Sequence, residues 1–182
     1  DLPTLYIWKE GSDETKDPDL ILMGTHLKSQ RDAHDDPKSR ERRSAQVINM
    51  HKQVSEHTDD FPDTPLLLIG DFNADLVHAE EFQPIKNSDI LKDSFEIGEN
   101  PLSNEERITH SFHPSGGETN YSQMDAIFLN QSASEHLERS FVYRYKDESG
   151  RAIPIPRTYR AREMNPSDHF PVISNFRFSL FD

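Results

Sequence analysis

Cysteine is missing from this chain of 182 residues, so disulfides and thiolate zinc sites are excluded and the redox compartment stays open. Apolar residues are few, at 33%, and no run of them approaches the length needed to cross a bilayer. Glycine is scarcer than proline, 7 against 12, which with 29% charged residues describes a soluble, loop-rich globular protein. The opening at Asp1 shows no secretory leader. Positive charge is the other shortage: 20 Lys and Arg stand against 33 Asp and Glu, a formal net charge of −13. That balance argues against tight nonspecific binding along a nucleic-acid backbone. It leaves room for an enzyme that engages one phosphate through a metal and a few local cations. Internal repeats and domain boundaries are lacking too, so residues 1–182 read as one domain, long enough to bury a core.

What is present is organised around residues 66–75, Leu-Leu-Leu-Ile-Gly-Asp-Phe-Asn-Ala-Asp. Four consecutive large apolar residues predict a strand buried on both faces, because a half-exposed strand would alternate with polar residues. Gly70 ends the run and permits a close backbone approach. Asp71 and Asn73 are two apart, so in extended chain both point to one side of the sheet. A carboxylate and a carboxamide projecting together from a strand end suit a hydrated hard cation, or a phosphate beside one. An Asx turn, with both side chains capping backbone groups, accounts for the same residues.

Residues 2–9 predict a strand, followed by a charged turn over 11–19 and a second, buried strand over 20–27 ending at Thr25-His26. A lone histidine after a strand is commonly structural; Lys28, Arg31, Arg40, Arg42 and Arg43 follow it, and such a run is commonly the solvated face of a helix. Asp36 as N-cap and Pro37 at the first helical position start that helix. Val47, Ile48, His51 and Val54 supply its buried stripe, and it ends near Thr58-Asp59-Asp60. His51 and His57, six apart, do not share a helical face and are assigned to no metal. Strand, helix and the strand at Leu66 make an α/β layer unit. Beyond it come a short piece over 77–85 broken by Pro84, a segment over 90–97 with Asp93 and Phe95, and a polar loop over 98–107. A strand over 108–112 ends at Pro114 and the Gly116-Gly117 turn. Residues 123–129 predict a core strand holding Asp125, whose carboxylate needs a partner, with histidine, arginine or backbone amides as candidates. An edge strand over 139–145, a loop over 146–165 with Arg151, Arg157, Arg160 and Arg162, and a closing strand over 172–178 complete the chain. Asp168 and His169 stand side by side at the mouth of that last strand.

Four motifs, Thr25-His26-Leu27, Gly70-Asp71-Phe72-Asn73-Ala74, Asp125 in Met-Asp-Ala-Ile-Phe-Leu, and Ser167-Asp168-His169-Phe170-Pro171, occur in that order. Together they resemble the C-terminal motifs of the endonuclease/exonuclease/phosphatase superfamily, over about residues 20–178. The resemblance implies an α/β fold, a four-layer sandwich of the deoxyribonuclease I-like type. It implies a phosphoesterase in which Asp71 lies nearest the attacking water or leaving oxygen, and Asn73 holds the phosphate or orients that water. His169 contacts the phosphate and faces Asp71 as the acid/base group, with Asp125 fixing its tautomer and orientation, and His26 bonds a non-bridging phosphate oxygen. Mg²⁺, with Mn²⁺ as the alternative, is implied as cofactor, with Asp168, Asp71 and Asn73 as its ligands. The family also carries an N-terminal half that supplies an asparagine and the principal metal-binding glutamate. Only about twenty residues precede Ile21 here, and Glu10 and Glu14 match no motif. The chain is therefore expected to be the C-terminal half of the fold, with the other half as a separate polypeptide or a further segment of its own chain. The implied substrate is a phosphodiester or phosphomonoester. A nucleic acid or nucleotide is preferred over an inositol phosphate or lipid headgroup, and Arg151 to Arg162 are available to clamp its charge. A noncatalytic binding or assembly module with an incomplete metal site is the alternative.

Overall fold

The computed structural model describes residues 2–13, 15–31, 34–98, 101–114 and 117–178; Glu14 and Gly116 lie outside these. Strands β1 (Thr4–Ile7) and β2 (Leu20–His26) precede helix α1 (Arg40–Asp60) and strand β3 (Leu66–Asp71). Helix α2 (Gln83–Lys86), β4 (Lys92–Asp93), β5 (His110–Phe112), β6 (Asn120–Ser122) and β7 (Asp125–Leu129) come next. Helix α3 (Gln131–Ser134), β8 (Leu137–Val142), the single turn α4 (Tyr159–Arg162) and β9 (Val172–Phe176) follow. A five-stranded sheet has the order β1-β2-β3-β7-β4, and two hairpins, β5-β6 and β8-β9, stand outside it. Among the described strands only β2 and β3 run parallel, joined by the α1 crossover.

Alternation along the strands sorts the core. Ile21, Met23, Leu66, Leu68, Ala126 and Phe128 face α1 and join Val47, Met50 and Val54 in the main apolar cluster. The opposite face carries Leu20, Leu22, Leu67, Ile127 and Leu129, covered at one end by Leu137, Phe176 and Phe178 from the β8-β9 side. Away from that cover Ile69 is 36% exposed and Leu5 62%. The expectation of a strand buried on both faces therefore holds for Leu66 to Leu68 and fails at Ile69, which is partly open to solvent.

The helix does not start at Pro37: a 3₁₀ turn (Pro37–Ser39) intervenes, Lys38 and Ser39 are at positive φ, and α1 begins at Arg40, though the Asp36 carboxylate still caps it from across that turn by accepting from the Glu41 and Arg42 amides. The buried stripe is Arg43, Val47, Met50 and Val54; Ile48 is 60% exposed. Arg43 is no solvated cation. It donates to Glu81 Oε1 at 3.1 and 2.8 Å and to the Lys28 and Lys38 carbonyls, tying α1 to the loops on either side. That network makes an arginine tolerable where the period calls for an apolar residue. Pro84 does not break the following segment; it sits in the first turn of α2, where its missing N–H costs nothing. Arg107 fixes one end of the polar loop through Asp93 and Glu96. The edge strand runs over Leu137–Val142, earlier than the alternation suggests, and β6 was not anticipated.

Candidate active site

Register brings the motifs together. Because β2 and β3 are parallel, their C-terminal ends coincide and His26 stands opposite Asp71. Because β7 is antiparallel to β3, its first residue reaches the same edge, with Asp125 opposite Asp71. Directly paired residues share a face, so His26, Asp71 and Asp125 form a row across three strand ends. Gly70 makes this approach feasible: at φ 153° a Cβ would lie 1.9 Å from the Thr25 carbonyl oxygen. His169 arrives from outside the sheet, pairing as a single bridge with His110 of β5. The Phe170 amide donates to the Thr109 carbonyl and the Ser111 amide to the Asp168 carbonyl, at 2.7 and 3.0 Å.

Within this cluster His169 Nδ1 lies 2.8 Å from Asp125 Oδ2, so the ring is held by a carboxylate at one nitrogen and presents the other. The hydrogen bond that His169 donates to Asp125 raises the His169 pKa above that of a free histidine, against the opposing effect of burial. Burial, followed by the charge of Asp125, raises the Asp71 carboxyl above the ordinary carboxylate range; the Asn73 amide, His169 and His26 pull the other way. His26 Nε2 is 3.7 Å from Asp71 Oδ2 and largely open to solvent. The chain does not stay extended past Asp71. Asn73, at φ 55°, turns back so that its backbone N–H donates to Asp71 Oδ1 at 2.7 Å and its side-chain nitrogen to Asp71 Oδ2 at 3.1 Å. The same nitrogen donates to the Leu27 carbonyl at 3.0 Å. The shared-side expectation is thus corrected: an Asx turn, not strand alternation, puts Asn73 beside Asp71.

Asp71, Asp125 and His169 each place a ligand atom within 4.8 Å of the others. Two carboxylates so close, with one held above its ordinary range, form an acidic spot suited to a hard cation that takes one or two carboxylates and waters. The donor set fits Mg²⁺ or Mn²⁺. Asp168 lies outside this group and faces Arg162 at 3.5 Å. Its carboxyl is lowered: burial opposes this and is outweighed by its own backbone amide and by Arg162. Glu10, in an exposed turn, takes no part.

Three supporting residues were missed. Buried Thr109 accepts from the Met124 and Asp125 amides through Oγ1, at 2.8 and 2.9 Å, and so sets where β7 begins. Tyr145 donates its hydroxyl to the His169 carbonyl at 2.9 Å. His110 lays its ring against His169 with centroids 4.7 Å apart, and burial followed by the His169 charge lowers its pKa. Residues 108–112 signalled only a strand; none of these contacts is local in sequence.

No family model matches the sequence, and no curated protein does. Solved structures do, and they define the fold as the deoxyribonuclease I-like fold of endonuclease/exonuclease/phosphatase proteins. TDP2 from Caenorhabditis elegans is similar at a TM-score of 0.59 and 18% identity, over 97% of this chain and 50% of its own. The mannosyl-6-phosphatase Bt3783 from Bacteroides thetaiotaomicron gives 0.53 and 23% over 87% of this chain and 51% of its own. The 3′ phosphatase NExo from Neisseria, bound to a product DNA hairpin, gives 0.52 and 19% over 88% and 62%. The chain thus spans about half the length of the first two structures it matches.

Proposed function

We propose that this chain is the C-terminal half of a metal-dependent phosphoesterase, acting on a phosphodiester or phosphomonoester with a nucleic acid or nucleotide preferred. The observation that carries the reading is the His169–Asp125 pair at 2.8 Å with Asp71 across from it. Hydrolysis of a phosphate ester needs an oriented water, a proton acceptor, a proton donor and relief of charge on the phosphate. Asp71, raised toward the range of a useful base, is placed to take a proton from the attacking water. His169, held in one tautomer and raised toward its charged form, is placed to give a hydrogen bond to a phosphate oxygen facing Asp71. His26 reaches the same oxygens from the solvent side. With both protons of its side-chain nitrogen engaged, Asn73 locks Asp71 in place and turns its oxygen outward. Asp71 and Asn73 Oδ1 would hold Mg²⁺ or Mn²⁺, which when bound neutralises phosphate charge, whereas Asp168, expected as a further ligand, is turned to Arg162.

The apolar face holding Leu5, Leu22, Ile69 and Ile127 supports the second part of the proposal. In a four-layer sandwich this face packs on a second sheet, and the other half of the fold, as a separate polypeptide or another segment, would cover it. Two of the similar structures, a mannosyl-6-phosphatase and a 3′ phosphatase with DNA product, both act by phosphoester hydrolysis.

The test is turnover of a phosphodiester reporter with Mg²⁺, with the completing half supplied. Asp71→Ala and His169→Ala should each lower the rate at least about 100-fold, the lower end for a lost proton-transfer group. Unchanged turnover in both variants would remove the assignment. Absence of turnover on every phosphoester tried would leave a binding module.

A further inference from the structure

At the β4 edge of the sheet is a cavity of about 630 Å³ that the proposed chemistry does not use. Phe128 lines it, three residues beyond Asp125 and so about 10 Å along β7 from the candidate active site. Leu76, Phe82, Ile85 and Leu91 join Phe128, all of them members of the main apolar cluster on the α1 side. The uncovered face that holds Leu5 and Ile69 is on the other side of the sheet, so a completing half packed there would leave the cavity open. Asp93 pairs with Phe128 and therefore projects to the cavity side, where Arg107 and Gln123 donate to its Oδ2 at 2.8 and 2.7 Å. Around the cavity Lys86, Lys92 and Arg107 stand against Asp93 and Glu96, an excess of one positive charge in a chain of net charge −13. Both carboxylates are already engaged by Arg107. Lys86 and Lys92 form no ion pair among the described residues: the Lys86 ammonium donates to the Val77 and Ala79 carbonyls, at 2.9 and 3.4 Å, and Lys92 is exposed.

We propose that this cavity is a second binding site, for a small apolar molecule bearing a single carboxylate, its body against Ile85 and Phe128 and its charge at the Lys86 and Lys92 ammonium groups. The volume is that of a small-molecule site, and the lining follows the rule for such sites, an apolar surface with a few polar groups to fix orientation. A cation would meet the local excess of positive charge. A neutral hydrocarbon would leave both lysines unpartnered, and a hydrated polyol would gain nothing from the apolar lining. Gln123 makes occupancy visible. Its side chain accepts from Arg107 Nε at 2.8 Å and donates to Asp93, its carbonyl accepts from the Leu76 amide at 2.9 Å, and it stands two residues before Asp125. A molecule pressing on Leu76 or Arg107 therefore acts on a buried amide joined to both.

The test is a titration followed by amide NMR shifts. The full chain, isotope-labelled, is titrated with naphthoate and with naphthamide, which has the same rings and no charge. The backbone amides of Leu76, Ile85 and Leu91 and the Gln123 side-chain amide should shift together and saturate. Naphthoate should bind about 2- to 30-fold more tightly than naphthamide, the gain from two solvent-facing charge contacts. Lys86→Gln with Lys92→Gln should bring that ratio close to one and leave naphthamide affinity unchanged. Ile85→Trp, which fills the cavity, should abolish binding of both. The two lysines are exposed, so their variant keeps the test decisive if Ile85→Trp does not fold. Equal affinity of wild type for acid and amide overturns the proposal, and so does a preference that survives the lysine substitutions. Shifts confined to Leu5, Leu22 and Ile69, or no saturable shift at all, overturn it as well. Metal and turnover play no part in the titration, so this site and the phosphoesterase reading stand or fall separately.

Discussion

Asp71→Asn should make the metal-free protein more stable while disabling it. The Asp71 and Asp125 carboxylates are about four-fifths buried, with side-chain exposures of 21% and 22%, and lie within 4.8 Å of one another. At that separation two unit charges repel by about 3.5 kcal/mol at an effective dielectric of about 20, and by about 0.9 in bulk water. His169 offsets part of this. The asparagine keeps the acceptor for the Asn73 amide but sets a donor against the Asn73 side-chain nitrogen, at a cost of about 1 kcal/mol. The net gain is about 1 kcal/mol, or about 2–4 °C in Tm for a chain of this size. The sign with pH follows from linkage. A folded pKa raised above the unfolded one means that the native state binds the proton more tightly, so wild type loses stability as pH rises from the ordinary carboxylate value through the raised one. The variant lacks that loss. Thermal melts in EDTA at pH 7.5 should therefore favour Asp71→Asn, and at pH 4 the gap should shrink. Adding Mg²⁺ should raise the wild-type midpoint and leave the variant in place. A variant no more stable than wild type at pH 7.5 in EDTA would refute the claim that this carboxylate is held at a cost to the fold.

Two further substitutions test how the site is supported. Gly70→Ala would put a methyl 1.9 Å from the Thr25 oxygen at a backbone angle that favours glycine, and should cost more than about 3 kcal/mol in urea denaturation. A loss below about 0.5 kcal/mol would show that β2 and β3 can separate there. Arg43→Met should cost up to about 3–5 kcal/mol because buried Glu81 loses its hydrogen-bonded partner and keeps only Arg40 Nε at 3.6 Å, and adding Glu81→Met should recover most of it. A double variant as unstable as the single one would place the cost in the lost carbonyl contacts.

Much of the framework was legible. The strand over Leu66 to Ile69, the strand end at His26 and the end of α1 near Asp60 all followed from period and turn chemistry, which are local signals; the strand holding Asp125 was found too, but it begins at Asp125 and not at 123. The misses share a different origin. Arg43 lies in the buried stripe because a carboxylate 38 positions away pairs with it, and no window on α1 contains Glu81. Ile69 was assigned two covered faces because strand composition reports hydrophobicity and not what lies above the sheet. Asn73 came to Asp71 by a reversed backbone, so of the two readings open for this pair the Asx turn held and the extended strand did not. Thr109 and His110 carried no signal, since their partners at 124, 125 and 169 are set by tertiary pairing. The histidine partner of Asp125 was one of three candidates on chemical grounds, and distance chose among them.

The register that gathers His26, Asp71, Asp125 and His169 also fixes when they can meet. Neighbouring members of this set are 45, 54 and 44 positions apart, and each junction closes a long loop before any contact rewards it. Such wide separations slow the search for the native state, and local structure such as α1 can form well before the strand ends align. Reactivity would then be a late arrival during folding. A nascent or nicked chain could hold every one of these side chains and still have no site.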